Sequence, residues 1–343
     1  MGNTTSSHPV SSKYLETLSD TTYNISAGSM LGHRETMEDY YTIKLKLKDN
    51  ISFFAIYDGH GGAHVAKYVS EVLYIKLQNL KNLFDREAII KIFYEIDDEI
   101  NKNIPDTKLC GSTCIFALVQ PTSKFFVSTY KVLIGNLGDS FALVIDEFSN
   151  IKHTTTDHHP INLKERLRIL YAGGTTYLGR VDGELAVSRA FGDFKYKTNK
   201  DLLADKQKVI AKPTITEFEL DKRDLLFLSC DGVLEKTSRE KIAEFIFEQQ
   251  ASRISQTDII KNLFDHCLFE NKSGDNMTSI LISFGKSNIK NKTEYVLGRY
   301  DIYSESKYFR HKFINDAEKH GLTREELSEK NIVLNRTWRD YFI

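Results

Sequence analysis

The sequence is poor in cysteine, carries no excess of either charge and has no long apolar run. Its 343 residues include four cysteines, Cys110, Cys114, Cys230 and Cys267, too few for a disulfide scaffold in a chain of this length. They are not spaced as zinc ligands either. Cys110 and Cys114 flank Gly-Ser-Thr at a strand start and His266-Cys267 lies far along the chain, so the tight ligand pairs of a zinc site are missing. Lys plus Arg number 46 and Asp plus Glu 47, a net charge of −1. A nucleic-acid binder usually shows a clear basic excess, so no nucleic-acid partner is expected. The longest uncharged stretch, 109–123, is too short and too polar for the ~20 residues that span a bilayer. No charged-then-apolar leader opens the chain, which makes Sec-type secretion an unexpected fate. The glycines of GHGG (59–62) come with neither a Walker lysine nor GxGxxG spacing, which excludes a nucleotide cradle there.

What is present is ordinary for a soluble chain with a real core: 41% hydrophobic and 27% charged residues. Length alone allows two domains or one large two-sheet domain. The opening MGNTTS matches the N-myristoylation pattern, with Gly2 as the acceptor and Ser6 in the favoured position. Residues 1–22 hold ten Ser/Thr and few large apolar groups, and read as a flexible arm. With one Lys and two acids the arm has no polybasic second signal, so an acyl chain there would anchor reversibly. A cytoplasmic location is expected, with membrane association if Gly2 is acylated, and nothing in the sequence argues against a nuclear pool.

Strict alternation over 40–48 predicts a half-buried strand, with Tyr41, Ile43, Leu45 and Leu47 on one face. Residues 51–57 follow as a more buried strand ending at DGHGG. Helical spacing comes next, at Val65, Val69, Val72 and Leu73, then at Ile89, Ile92, Phe93, Ile96 and Ile100. Short strands CIFALV, FFVSTY, KVLIGN and SFALVI occupy 114–145. A helix over 163–171 stops at Gly173-Gly174. The strands TITEFEL and LLFLSC, helices near 238–250 and 257–269, and the strand MTSILISF complete the pattern. This order predicts an α+β fold: two packed, mainly antiparallel sheets flanked by helices, a four-layer α-β-β-α sandwich. Residues 288–343 differ in texture, with eleven Lys/Arg, nine Asp/Glu and nine aromatics. Phe309, Phe313 and Ala317 share a helical face, and Thr323 with Glu326 makes a capping box. An αα-hairpin packed on the core is expected there; its aromatics are either core contacts or a partner surface.

The informative feature is the position of particular acids. Glu38-Asp39 precedes the strand at 40, Asp58-Gly59 ends the next, Asp139 follows a strand in GNLGDS, Asp231-Gly232 follows LLFLSC, and Asp275-Asn276 precedes the last strand. One acid at a strand end is ordinary turn chemistry. Five such ends across a two-sheet core suit hard cations such as magnesium or manganese. Two such ions about 4 Å apart can hold a bridging hydroxide and polarise a phosphoryl group. His60, two residues after Asp58, can protonate a leaving alcohol, and Arg34 can hold phosphate bidentately.

At these residues the sequence resembles the type 2C, metal-dependent protein serine/threonine phosphatases. The matching segments are RETMEDYY (34–41), FFAIYDGHGG (53–62), GSTCIFALV (111–119), GNLGDS (135–140), TTDHHP (155–160), LAVSRAFGDFKYK (185–197), LSCDGV (228–233) and SGDNMTSI (273–280). The resemblance implies a phosphatase domain over 23–287, between the arm (1–22) and the C-terminal extension (288–343). It implies hydrolysis of phosphoserine and phosphothreonine by a hydroxide bridging two manganese or magnesium ions. By motif, Asp58 bridges the ions, the Gly59 carbonyl ligates one, Asp231 and Asp275 hold the other, and Glu38 and Asp39 contact bound waters. His60 becomes the general acid and Arg34 the phosphate ligand. Asp139 belongs to a weaker third metal site, and Glu235 stands where the family usually has Asp, which puts that third site in question. The segment 198–212, with four Lys, corresponds to a variable flap. Phosphoproteins are the implied substrates and a monomer is expected. The rival reading is a pseudophosphatase scaffold, which should have lost metal-binding acids; a hydrolase of small phosphomonoesters would share the same site.

Overall fold

The computed structural model describes residues 8–124, 127–286, 289–298, 307–323 and 325–327. Twelve strands build two large sheets. In chain order they are β1 (Val10–Ser19), β2 (Tyr23–Gly32), β3 (Tyr40–Lys48), β4 (Ile51–Tyr57), β5 (Cys114–Lys124), β6 (Val127–Leu137), β7 (Phe141–Ile145), β8 (Ile151–Thr154), β9 (Thr214–Asp221), β10 (Leu225–Ser229), β11 (Met277–Phe284) and β12 (Lys292–Val296). The helices are α1 (His64–Gln78), α2 (Arg86–Asn103), α3 (Leu163–Tyr171), α4 (Arg239–Ala251), α5 (Gln256–Asp265) and α6 (Lys307–Lys319).

One sheet runs β8-β7-β10-β11-β2-β1-β12 and the other β9-β6-β5-β4-β3, with every neighbouring pair antiparallel. Between the sheets, Ile25, Phe54, Ile56, Val119, Val144, Leu226, Leu228 and Ile280 interdigitate. The outer face of the five-stranded sheet packs on α1 and α2 through Phe53, Val69, Phe93, Ile96 and Phe116. The outer face of the seven-stranded sheet packs on α4 and α5 through Leu143, Phe227, Ile246, Ile260 and Phe264. That is the α-β-β-α sandwich expected from the element order. The helices start where the sequence supplies caps: Asp85 accepts from the Ala88 N–H at 3.1 Å, and Ser255 from that of Asp258 at 3.1 Å.

Four local expectations are corrected. The arm reading of residues 1–22 fails over 10–19, which form β1 between β2 and β12. Its composition hid this, because its polar groups are satisfied inside: Lys13 Nζ meets Asp265 at 2.7 Å and the Thr17 and Thr257 hydroxyls lie 2.6 Å apart. VSTY and KVLIGN join one strand, β6. Leu47 leaves the face of Tyr41, Ile43 and Leu45 and packs with the helix-side core, because the ladder slips between Lys44 and Lys48 where Lys46 adopts φ 51°. In the C-terminal segment a strand, β12, precedes the helix. Phe309, Phe313 and Ala317 of α6 are buried against Val10 and Leu31, and the Thr323–Glu326 box forms, with the Glu326 N–H donating to Thr323 Oγ1 at 3.1 Å. Gly2 lies outside the described residues. Among the described residues no helix is long and apolar enough to cross a membrane.

Candidate active site

The acids singled out by the sequence come from both sheets and meet at one end of the sandwich. Asp58 leaves β4, with its N–H donating to Thr113 Oγ1 at 3.3 Å and its carbonyl accepting from the Thr113 N–H at 2.9 Å. Gly59 packs so closely beneath the β3 entry that a Cβ there would lie 2.5 Å from the Glu38 carbonyl oxygen, a place only glycine can occupy. Asp231 opens a one-turn 3-10 helix, Asp231–Val233, directly after β10. Asp275 precedes β11, and its neighbour Asn276 staples the loops together. The Asn276 amide donates to the Leu31 carbonyl at 2.9 Å, while its Oδ1 accepts from the Glu38 N–H at 3.0 Å. Asp39, Asp58 and Cys230 each place a ligand atom within 4.8 Å of the others.

The electrostatics of this cluster are those of acids deprived of both water and counter-charge. Loss of hydration, then repulsion from Asp275, pushes Asp39 up to about 7. The same two causes push Asp231 up to about 6. Asp58 is held well above the ordinary carboxylate range, by desolvation and then by Asp231, Asp39, Asp275 and Asp139. Asp139 rises to about 8, from desolvation and then Asp231 and Asp157. Asp275 also rises through desolvation, with Arg34 opposing. Among the described residues it alone of the five has a basic hydrogen-bond partner, Arg34 Nη2 at 2.5 Å. The buried Asp39 Oδ2 accepts no hydrogen bond of normal geometry, with only the Thr278 hydroxyl and the Cys230 thiol beside the carboxylate to favour its charged form. Recessed carboxylates with an orphaned oxygen and no ammonium or guanidinium among most of them fit hard divalent cations, which accept oxygen donors only.

His60 lies on the same rim, its side chain about a quarter exposed (27%). Its Nε2–H donates to Asp193 Oδ2 at 2.7 Å. Desolvation disfavours its charged form, yet the charge and hydrogen bond of Asp193 outweigh that and raise its pKa. Asp193 is the functional residue that sequence reasoning missed. It sits in the quoted segment LAVSRAFGDFKYK without an assigned role, and is held in a left-handed conformation, φ 54°. The loop before it is tied to α2 by Asp97, whose carboxylate accepts from the Gly192 N–H at 2.9 Å and from Lys197 Nζ at 2.8 Å. A signal was present: Asp97 is an acid on the apolar face formed by Phe93, Ile96 and Ile100.

The remaining candidates fall as follows. Glu38 faces the rim, its Oε1 accepting from Thr36 Oγ1 at 3.0 Å. Glu235 braces the loop before Asp275, its Oε2 accepting from the Gly274 N–H at 2.6 Å and from Ser273 Oγ at 3.1 Å. Cys230 is inert: burial and the surrounding acids hold its thiol well above the ordinary range, and the thiolate is the reactive form. Cys110 and Cys114 lie in the helix-side core and Cys267 in the opposite one, so no zinc set forms from them.

The sequence signature of protein phosphatase 2C matches residues 23–277. This chain belongs to the protein phosphatase 2C family. It is 34% identical to protein phosphatase ppm-1.A of Caenorhabditis elegans over 75% of its own length, and spans 58% of that protein. It is 30% identical to probable protein phosphatase 2C 60 of Arabidopsis thaliana, over 88% of this chain and 98% of that one. A crystal structure of a phosphatase from a pathogenic strain of Toxoplasma gondii superimposes with a TM-score of 0.74 at 26% identity, covering 83% of this chain and 100% of that one. The phosphatase 2C chain described here is therefore a metal-dependent serine/threonine protein phosphatase, of a family that uses manganese or magnesium.

Proposed function

We propose that the chain hydrolyses phosphoserine and phosphothreonine in proteins by direct transfer of the phosphoryl group to water, at two divalent ions held by the recessed acids. The observation that carries this reading is the convergence of Asp39, Asp58, Asp231, Asp275 and Asp139 on one site, with pKa values raised first by desolvation and, for all but Asp275, then by other acids of the set; among the described residues their only basic hydrogen-bond partner is Arg34. Asp58, the Gly59 carbonyl, Asp231 and Asp275 would be the direct ligands; Glu38 and Asp39 would order waters around the ions, and Asp139 would be left for a weaker third ion. Manganese or magnesium bound there supplies the charge that makes a water nucleophilic at neutral pH and polarises the phosphoryl oxygens.

The chain's own residues do the rest. Arg34, a quarter exposed at the rim (25%), presents a planar guanidinium to the phosphate oxygens. His60 gives its proton to the departing seryl or threonyl oxygen, and Asp193 keeps the imidazole charged and oriented for that transfer. Cys230 does not take the phosphoryl group, since its thiol stays protonated in its buried place. The test is turnover of a phosphothreonine peptide by the purified chain. Manganese- or magnesium-dependent release of phosphate is expected, abolished by a chelator and lowered roughly 10⁴-fold in Asp231→Ala. A folded chain without metal-dependent turnover would leave the scaffold reading in its place.

A further inference from the structure

The C-terminal helix is attached to the site through the loop that carries Arg34. That loop runs from Gly32, the last residue of β2, to Glu38. Its start is sharply constrained: Gly32 has φ +63°, and a Cβ there would lie 2.7 Å from the Asp275 carbonyl oxygen. On the side of the acids the loop is fixed by Asn276, which binds the Leu31 carbonyl and the Glu38 N–H. On the opposite side it is covered by α6. Leu31 is buried with Phe309, Phe313, Ile314 and Ala317, and Met37 packs on the same cluster. Arg34 therefore stands between two residues, Leu31 and Met37, that both join the apolar cluster built around α6.

A hydrogen bond joins helix and loop, at a Lys312 ammonium that also feels the Asp316 carboxylate on the helix and the Glu35 carboxylate in the loop. Lys312, only 7% exposed, donates from Nζ to the Gly32 carbonyl oxygen at 3.3 Å. Asp316, one turn further along α6, is buried too and accepts from the Tyr295 hydroxyl at 2.5 Å, which fastens α6 to β12. Burying an ammonium is expensive unless it is bonded, and an amphipathic helix could have covered the loop with apolar residues alone. A lysine aimed at the carbonyl two residues before Arg34 specifies where the loop begins, which apolar contact does not.

We propose that α6 is a positioning element for phosphate binding, and that Lys312 sets the place of Arg34 by holding the Gly32 carbonyl. The inference rests on the phosphatase reading, in which Arg34 binds the substrate phosphate. Lys312 touches no substrate; it acts through the loop. A contact of this kind should appear in substrate binding and leave the chemical step largely alone, because Asp58, Asp231 and His60 are held by β4, the turn after β10 and Asp193.

The test is steady-state kinetics on the full chain with manganese, using a phosphothreonine peptide as substrate and inorganic phosphate as a competing ligand. Lys312→Met keeps the buried stem and removes the donor. It is expected to raise both KM and the phosphate inhibition constant about fivefold, the scale of one lost hydrogen bond, with kcat within about twofold and with Lys312→Arg restoring most of the loss. In an Arg34→Ala background the same Lys312→Met change is expected to have no further effect on KM, since residues acting as one unit are not additive. Equal KM in wild type and Lys312→Met, or full multiplication of the two effects in the double variant, would overturn the proposal. A wild-type chain with no turnover overturns the phosphatase reading itself, whereas normal wild-type turnover with an unaltered Lys312→Met sinks only the role of α6. Thermal melting of each variant separates a lost position from a lost fold: a drop in kcat that tracks the melting temperature, with KM unchanged, also contradicts the proposal.

Discussion

Asp58 and Glu165 are both carboxylates withdrawn from water, and a short run of hydrogen bonds connects their surroundings, yet they are treated in opposite ways. Glu165, on α3, is 4% exposed. It is surrounded by cations: Arg189 Nη2 lies 2.5 Å from its Oε1, Arg168 pairs with its Oε2, and Ser188 donates to Oε2 at 2.7 Å. Burial alone would push its pKa up, but the two arginines overcome that and bring it down to about 2. Asp58 is desolvated as well, although its surface is less fully covered, and it meets four more acids instead of two arginines. The link runs through His158, whose backbone carbonyl accepts from Ser188 Oγ at 2.7 Å and whose Nδ1 accepts from the Gly138 N–H at 3.0 Å, next to Asp139. So within one neighbourhood the chain completes one acid with two of its own cations, pairs Asp275 with Arg34, and leaves the other four without a basic hydrogen-bond partner among the described residues. A carboxylate completed from within is structural; carboxylates left incomplete require a partner that the chain does not encode.

The contrast can be broken by neutralising one member of each group. Glu165→Gln strands two largely buried guanidiniums, so a loss of about 3–5 kcal/mol is expected, read from urea unfolding with and without manganese. The effect should be the same in both. The ionised Glu165 contributes its stability above the ordinary carboxylate range, and that contribution disappears as pH falls toward about 2.

A smaller effect of opposite sign is expected at the other site. Asp58→Asn should stabilise the chelator-treated chain at pH 8, by on the order of 1 kcal/mol, because it removes repulsion that no cation offsets. The sign follows from the raised pKa values. The folded chain retains protons that the unfolded chain gives up, so stability is fully present below the ordinary carboxylate range and is lost as pH rises through about 6 for Asp231, 7 for Asp39 and 8 for Asp139. The gain from Asp58→Asn should accordingly shrink as pH is lowered to about 5. A destabilised Asp58→Asn at pH 8 without metal would mean that Asp58 is completed from within, as Glu165 is.

The sequence exposed this contrast unevenly. The acids of the cluster were legible because each ends or begins a strand, and Asp58, Asp231 and Asp275 stand within motifs whose order is itself specific. The sandwich was legible for a similar reason, since period-two and helical spacings mark its layers. The partner of His60 was not, because Asp193 is brought to it across 133 positions by a loop tied to α2. Nor was β1, whose serines and threonines carry the composition of a loose arm but are paired once the sheet is built, Thr17 with α5 and Ser12 and Ser19 with residues flanking β12. Glu165 carried little sequence mark beyond Arg168 one turn along α3, because its meaning depends also on Arg189, 24 positions on. Glu235 looked like a weakened ligand, and the structure gives it a different task, bracing the turn before Asp275.

The central claim is that the recessed acids form a site completed by divalent metal, and thermal melting at pH 8 tests it most directly. Chelator-treated wild type is predicted to gain several degrees on addition of manganese, with Asp231→Ala gaining little and Glu165→Gln gaining as much as wild type. Melting temperatures of the wild-type chain that do not change with manganese, or an equal gain in Asp231→Ala, would contradict it.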